Sequence, residues 1–379
     1  MIEIVFAIII ILLLLNYCFF VNKINAGLKK ILGHAQPGNV VKEFASIIIP
    51  FRNESDVILD NLASIERLDY PSDKYEVIYV DDSSSDDGYE KLKASIKNDN
   101  IKIVQCSSNG ARRGHKKKAL QAGIDKSRGQ IIITTDADCV FDKDWLSEMI
   151  KYFDDETAFV SGPVNFAGGK GLFFKVQLIE FASLVMTGAG LIGGGTPSIC
   201  NGANLAYRKN VFDMVKGFAG NLNLSSGDDE LLMQKIASQT NYKIKFCASE
   251  KAVVRTKANR TLRGFINQRK RWASKSVYYK NKTLVAMLVL IYLFYLSVFL
   301  LPFAAVFVSI KYLAWFFIGF IAKCIVENSV MVKSKPLLGI KYNVAEFIAT
   351  EIFQITYIVI MSVAGLFGNY KWKDRKIVR

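Results

Sequence analysis

Ile131-Ile-Ile-Thr-Thr-Asp-Ala-Asp-Cys139 is the stretch whose reading decides the fold. Three isoleucines and two threonines are β-branched residues that pack well on a pleated surface, so the run reads as a buried strand. The strand breaks at Asp136-Ala137-Asp138. Alternation along an extended tip puts the two carboxylates on one side. Acids so placed repel each other unless a cation sits between them. Carboxylate oxygens suit Mg2+ or Mn2+, which in turn binds the oxygens of a diphosphate. The plain alternative is a turn after a strand, where Asp is common in any protein.

The sequence on the N-terminal side bears on that choice. Ala45-Ser-Ile-Ile-Ile-Pro50, Glu76-Val-Ile-Tyr-Val80 and Ile101-Lys-Ile-Val-Gln105 are further strand patterns. Ser55 is placed to cap a helix running to Arg67, and a second helix is expected from His115 to Lys126. Strands alternating with helices at close intervals predict a mostly parallel sheet with helices on both faces. Ligands bind such sheets at the carboxyl ends of the strands. Phe51-Arg-Asn-Glu54, Asp81 to Asp87 and Asp136 to Asp138 all lie at such ends, so one shared site is expected. Asp82 suits the imide N–H of a uracil or another base, although a Ser/Asp-rich loop also caps helices. Gly110-Ala-Arg-Arg-Gly-His-Lys-Lys-Lys118 suits a loop and helix start that hold phosphates, or else a solvated basic face.

The composition adds a membrane. The chain has 379 residues, 51% hydrophobic and 22% charged, with mean hydropathy +0.21. That is too apolar for an ordinary soluble enzyme, and the apolar residues gather at the two ends. Residues 1–21 form a span long enough for a bilayer. Lys23, Lys29 and Lys30 follow it and favour the cytoplasm. Glu3 stands where a cleaved signal peptide carries basic residues, so a retained anchor is expected. Residues 42–256 have the composition of one α/β domain, 257–282 are basic and interfacial, 283–369 are apolar, and 370–379 are a basic tail. The net charge of +15 fits a positive cytoplasmic face. No nucleic-acid module accompanies it, so no nucleic-acid partner is expected. Six scattered cysteines without metal-ligand spacing suit buried thiols in a reducing compartment.

The second half carries further polar clusters. Leu172 to Leu191 includes Lys175, Gln177 and Glu180, and is expected as an amphipathic helix on the membrane or against the site. Gly193-Gly-Gly195 ends it with a mobile connection. Ser226-Gly-Asp-Asp-Glu230 precedes the helical run Leu231 to Ile236. Acids there cap a helix, or hold a general base beside the metal. Gln268-Arg-Lys-Arg-Trp272 precedes a span, where basic residues and tryptophan also serve as plain anchors. Leu284 to Ile310 and Val344 to Phe367 are apolar, the latter with Glu346, Glu351 and Gln354. Tyr312 to Val332 contains Lys323 and Glu327. Three crossings after a cytoplasmic domain would put the basic tail outside, so Tyr312 to Val332 is expected to be re-entrant or interfacial.

Taken together, these motifs resemble the membrane-bound glycosyltransferases of family 2, the group that includes cellulose, chitin and hyaluronan synthases and ceramide glucosyltransferase. Ile47 to Glu54, Asp81 to Asp86, Gly114-His-Lys116 with Ala119-Leu120, Asp136-Ala-Asp138, Gly227-Asp-Asp-Glu-Leu-Leu232 and Gln268 to Trp272 carry the resemblance, in the family's order. Gly227-Asp228 departs from the family's Thr-Glu. The resemblance implies a GT-A (Rossmann-like) cytoplasmic domain with an N-terminal transmembrane anchor and C-terminal transmembrane helices. It implies inverting transfer from a nucleotide sugar, in the first instance a UDP-sugar, to a lipid or glycan acceptor at the membrane. Donor contacts then fall on Pro50, Asn53, Glu54, Asp82, Lys116 and Asp136. Asp138 with Asp136 takes Mg2+ or Mn2+, and Asp229 is the base. Gln268 and Arg271 hold the diphosphate, with Trp272 on an acceptor sugar or at the pocket rim. A single transfer to a lipid-linked acceptor is expected from the small membrane portion. The alternatives are a processive polysaccharide synthase, a nucleotidyl- or phosphosugar-transferase, and a non-enzymatic membrane scaffold.

Overall fold

The computed structural model describes residues 2–33, 43–106, 115–222, 224, 227–275, 278–279 and 281–367, with the backbone of 370–372 and 375–377. The chain opens with helix α1 (Ile2–Gly33). Strand β1 (Ala45–Phe51), α2 (Ile58–Glu66), β2 (Tyr75–Asp81), α3 (Gly88–Ser95), β3 (Ile101–Gln105), α4 (His115–Asp125) and β4 (Ile131–Thr134) follow in alternation. Next come α5 (Trp145–Ile150), β5 (Thr157–Ser161), β6 (Val164–Ala167), α6 (Leu172–Gly193), β7 (Leu205–Arg208), α7 (Lys209–Met214) and α8 (Glu230–Gln239). The last part holds β8 (Lys243–Phe246), β9 (Val254–Lys257), α9 (Leu262–Ala273), α10 (Lys282–Phe307), α11 (Lys311–Leu338), α12 (Val344–Phe367), β10 (Tyr370–Trp372) and β11 (Arg375–Ile377).

Seven strands form one sheet in the order β3-β2-β1-β4-β7-β5-β8. The first four run parallel, with Ile47 opposite both Val77 and Ile133. β7 runs antiparallel to both neighbours, which makes the sheet mixed. Every residue of β1, β2 and β4 is buried. Covering both faces explains why these strands read as unbroken apolar runs rather than alternating ones. β6 pairs with β9, and a bridge from Val140 to Arg255 fixes that small sheet beside the turn after β4.

Two local expectations change. Ser55 does not cap α2, which starts at Ile58. Its amide N–H donates instead to Asp86 Oδ2 at 2.9 Å and ties two strand-end loops together. The tip after β4 is a turn rather than extended, because the Cys139 N–H donates to the Asp136 carbonyl at 3.1 Å. All six cysteines are free thiols, with Cys139 and Cys247 buried.

Five helices are long and apolar enough to cross a membrane: α6, α10, α11, α12 and most of α1. α6 sits inside the protein, apolar on nearly every side, so it lies against the site rather than on an outer surface. It crosses α1 backbone to backbone at Gly27, Gly190 and Gly193. A methyl group on Gly190 would lie 2.6 Å from the Ile24 carbonyl oxygen, which is why small residues mark this crossing.

Tyr312 to Val332, expected to be re-entrant or interfacial, lies within α11, one unbroken helix packed on α10, with no break at Lys323 and Glu327. Those charges are satisfied internally. Lys323 Nζ lies 2.9 Å from Glu327 and donates to Gln354 Oε1 at 2.7 Å, and it also pairs with Glu351. Tyr295 donates to Glu327 at 3.0 Å, and Tyr17 joins the same carboxylate. α12 is the helix with an unusual posture, since both its ends meet the α/β domain. Glu346 lies 3.9 Å from Lys175 near its start. Near its end, Gly365 packs on Ala273 of α9, closely enough that a Cβ there would lie 2.6 Å from the alanine methyl. Ile352, Thr356, Ile360 and Val363 form its outward stripe, while Glu351, Gln354 and Val359 face inward.

Candidate active site

A cavity of about 510 Å³ opens at the carboxyl ends of β1, β2 and β4. Pro50, Glu54, Asp82, Lys116, Asp136, Asp138, Asp229, Gln268, Arg271 and Trp272 all line it. The loops that carry these residues hold one another in place. Arg52 donates to the carbonyl of Asp82 at 2.6 Å and of Ser83 at 2.5 Å. Asn53 takes a positive φ of 51°. Its side-chain oxygen accepts from the Ser85 N–H at 2.8 Å. Asn53 therefore braces the loop and is not on the cavity wall.

Lysines 116 and 117 are adjacent on α4 and point roughly 100° apart around it. Lys116 enters the cavity, with Nζ 2.6 Å from Asp136 Oδ1 and 3.2 Å from Asp228 Oδ2. Burial opposes its charge, but the carboxylates of Asp136, Asp228 and Asp229 outweigh burial and hold its pKa above that of an ordinary lysine. Lys117 turns away and donates to the Asn221 and Leu224 carbonyls at 2.7 and 3.2 Å, bracing the chain that leads to Asp228. Burial brings its pKa down to about 8. Burial would raise the Asp228 carboxyl, yet Lys116 and Lys117 hold it at about 2.

Asp229 is the N-cap of α8, its Oδ1 accepting from the Glu230 N–H at 2.7 Å. Its Oδ2 accepts from the Gly202 N–H at 3.1 Å. The capping and base readings of this cluster are thus compatible. A carboxylate has about four lone-pair sites, and two backbone bonds orient it without exhausting it.

The Gln268 to Trp272 motif divides its work in a way the sequence reading missed. Gln268 Oε1 accepts from Asn259 at 2.9 Å and from Arg269 at 2.7 Å. Arg269, not Arg271, is the buried arginine. It pairs with Glu180 of α6 and lies over the rings of Phe265 and Trp272 at 4.4 and 4.2 Å. Tyr357 of α12 donates to the same Glu180 at 2.5 Å. The available signal was Glu180 itself, a carboxylate in a largely apolar helix, where a charge calls for a partner.

The donor set fits a hard divalent cation. Asp138 and Asp136 present carboxylate oxygens to the cavity. Asp138 Oδ2 accepts from the Thr256 hydroxyl at 3.0 Å. Among the described residues Asp138 makes no ion pair, whereas Asp136 is matched by Lys116. No group of three or more potential ligands is preassembled among the described residues. Mg2+-like ions commonly bind through one or two carboxylates, waters and substrate phosphates rather than through a protein cage.

Comparison with known proteins adds the family. The profile "Glycosyl transferase family 2" matches residues 46–215, and "Glycosyl transferase family group 2" matches residues 131–326, just over half of the chain. A poly-beta-1,6-N-acetyl-D-glucosamine synthase of Staphylococcus epidermidis is 32% identical over 145 residues, 38% of this chain and 34% of that protein. Glycosyltransferase AglE of Haloferax volcanii is 28% identical over 206 residues, 54% of this chain and 64% of its own. A beta-monoglucosyldiacylglycerol synthase of Trichormus variabilis is 32% identical over 129 residues, 32% of this chain and 27% of that protein. The chain thus spans from about a quarter to just under two thirds of these relatives' lengths. The mannosyltransferase PcManGT from Pyrobaculum calidifontis, solved with GDP-Man and Mn2+, shares the fold. Its TM-score is 0.60 at 19% identity, over 95% of this chain and 98% of that one.

Proposed function

The chain belongs to glycosyl transferase family 2 and is a glycosyltransferase, and we propose that it moves a sugar from a nucleotide sugar to a lipid-linked acceptor with inversion. The carrying observation is the two-sided wall of one cavity. Asp82, Lys116, Asp136 and Asp138 line one part of it. Phe181, Leu184 and Val185 of α6, Leu288 of α10 and Ser362 of α12 line another. A polar donor end continuous with a wall built by candidate spans suits an acceptor with a polar head and an apolar tail.

Asp82 is placed for the base, and Lys116 and Arg271 for the diphosphate. Asp138 and Asp136 are the residues that would hold Mg2+ or Mn2+, which when bound neutralises charge on the leaving diphosphate. Asp229 takes the proton of the acceptor hydroxyl as its oxygen attacks the anomeric carbon and the bond to the diphosphate breaks. The apolar wall keeps water from competing as acceptor.

The second reading, extension of a polysaccharide, draws on the Gln268 to Trp272 motif and on the similarity to the staphylococcal synthase. A conducted glycan needs polar side chains along its path. Lys323, Glu327, Glu351 and Gln354 are instead engaged with one another in the helix interior, which favours the first reading. Incubation of the purified protein in lipid with labelled donor separates the two. A lipid-extractable product of one or two sugars supports single transfer. A high-molecular-weight product sensitive to a glycosidase overturns it.

The same reading places the α/β domain in the cytoplasm, with α1, α10 and α11 crossing and α12 lying along the domain. Single cysteines near Lys30, at Lys335 in the last turn of α11 and at Lys373 are then all labelled from the cytoplasmic side. Labelling of the Lys373 site only from the opposite side would make α12 a full crossing and overturn this topology.

A further inference from the structure

The segment between α9 and α10 places two side chains on the carboxylates at the start of α8. Lys275 is buried, with Nζ 3.0 Å from Glu230 Oε1 and 3.6 Å from Asp229 Oδ1. Tyr279 donates to the other Glu230 oxygen, Oε2, at 2.6 Å. All four residues line the catalytic cavity. Lys275 and Tyr279 belong to none of the motifs that carry the family resemblance, and Glu230, though within one, has no role assigned by it.

A buried lysine and a buried glutamate are expensive to desolvate, and a pair of them is weak evidence for stability. Burial raises the Glu230 pKa, and it opposes the Lys275 charge until Asp229 and Glu230 outweigh it. A lysine kept charged at that cost, in the wall of a reaction cavity, points to a role in the reaction. We propose that Lys275 is a positioning residue for the general base, fixing Asp229 through a direct contact and through a Glu230 carboxylate that Tyr279 clamps from the other side. The proposal rests on the reading of Asp229 as base. Lys275 and Tyr279 sit on the short link between the Gln268 to Trp272 helix and α10, whose Asn281 cap begins the first candidate span after the domain.

The other charged groups facing Asp229 are Asp228 just before it, Glu230 at the start of α8, and Lys116 and Lys117 on α4, with the Cys200 thiol and Tyr279 nearby. Lys116 and Lys117 survive when Lys275 is removed, so the base keeps partial neutralisation. Loss of Lys275 is expected to misplace Asp229 rather than to leave it without any neighbouring cation.

The test uses full-length protein in lipid, with Lys275→Met, Lys275→Arg and Asp229→Asn measured side by side. Lys275→Met is expected to lower kcat at least about 10-fold with donor KM within about 2-fold, the split of an interaction used in the transition state. Its kcat–pH profile changes, and Lys275→Arg recovers much of the rate and the profile. Because Lys275→Met leaves Glu230 buried without its cation, Lys275→Met is also made with Glu230→Gln. That background removes the stranded charge, and the kcat defect is expected to persist in it. Unchanged kcat and pH profile in Lys275→Met, beside an inactive Asp229→Asn, would overturn the positioning role and leave the base assignment standing. Full turnover in Asp229→Asn would overturn both, since Lys275 would then position nothing the reaction uses.

Discussion

Asp229→Asn is expected to lower transfer by roughly 10²-fold or more, the range for loss of a general base, while donor affinity stays nearly intact. The substitution preserves shape and leaves a good N-cap in place. Its amide oxygen can accept from only one of the two N–H groups that Asp229 now serves well, those of Glu230 and Gly202. A modest stability loss of about 1 kcal/mol is therefore expected, too small to unfold the domain. Steady-state transfer and calorimetric donor binding on one preparation separate the effects. A collapse of donor affinity would make Asp229 a binding residue. The neighbouring Asp228 is poorly suited to replace it as base. Lys116 lies 3.2 Å away, and the two lysines of α4 hold its pKa at about 2. A carboxylate so stabilised has little driving force to take a proton near neutral pH.

Much of this architecture was legible in the amino-acid sequence, for reasons particular residues make clear. β1, β2 and β3 were read to within a residue or so, because β-branched runs bounded by Pro50, Asp81 and a polar loop have few other ways to bury themselves. The reversal at β7 was not read. Leu205 to Arg208 is short, and strand direction depends on how the chain returns through α6 rather than on local pattern. Each of the three strand-end clusters sent residues into one cavity as expected, Asp82 alone from the second, while Asn53 did not reach it. The choice between Lys116 and Lys117 needed the face of α4, and the work of Arg269 needed the position of Glu180 on another helix.

The membrane part was the least legible. Hydropathy reports whether a helix is long enough to span, not how it lies. Lys323 and Glu327 suggested a break in α11 that the continuous helix does not have. Their partners lie on α12 and α10, so the charges pack a straight helix instead of breaking it. Lys275 illustrates the same limit inside the site. In sequence it is one more basic residue before a span. Only the fold shows it 3.0 Å from a buried glutamate that follows Asp229.

Asp138→Asn is expected to weaken Mg2+ or Mn2+ binding and donor binding together, with little loss of fold. The asparagine keeps the side-chain shape and an oxygen able to accept the Thr256 hydroxyl, now 3.0 Å from Asp138 Oδ2. It loses the negative charge that makes the site attractive to a divalent cation. Removing an outer-shell partner of a metal ligand typically costs 10- to 100-fold in affinity, so loss of a charged ligand should cost roughly 100-fold or more. Donor affinity falls with it, because diphosphate oxygens share the cation. Asp136→Asn gives a contrasting result. It frees Lys116 from one of its two carboxylates, so part of the donor affinity is retained through the lysine. Metal titration monitored by Mn2+ paramagnetic relaxation, with and without nucleoside diphosphate, reads both terms, and thermal unfolding checks the fold. Unchanged metal dependence in Asp138→Asn would remove Asp138 from the cation's ligands and leave Asp136 to hold it from a carboxylate already neutralised by Lys116.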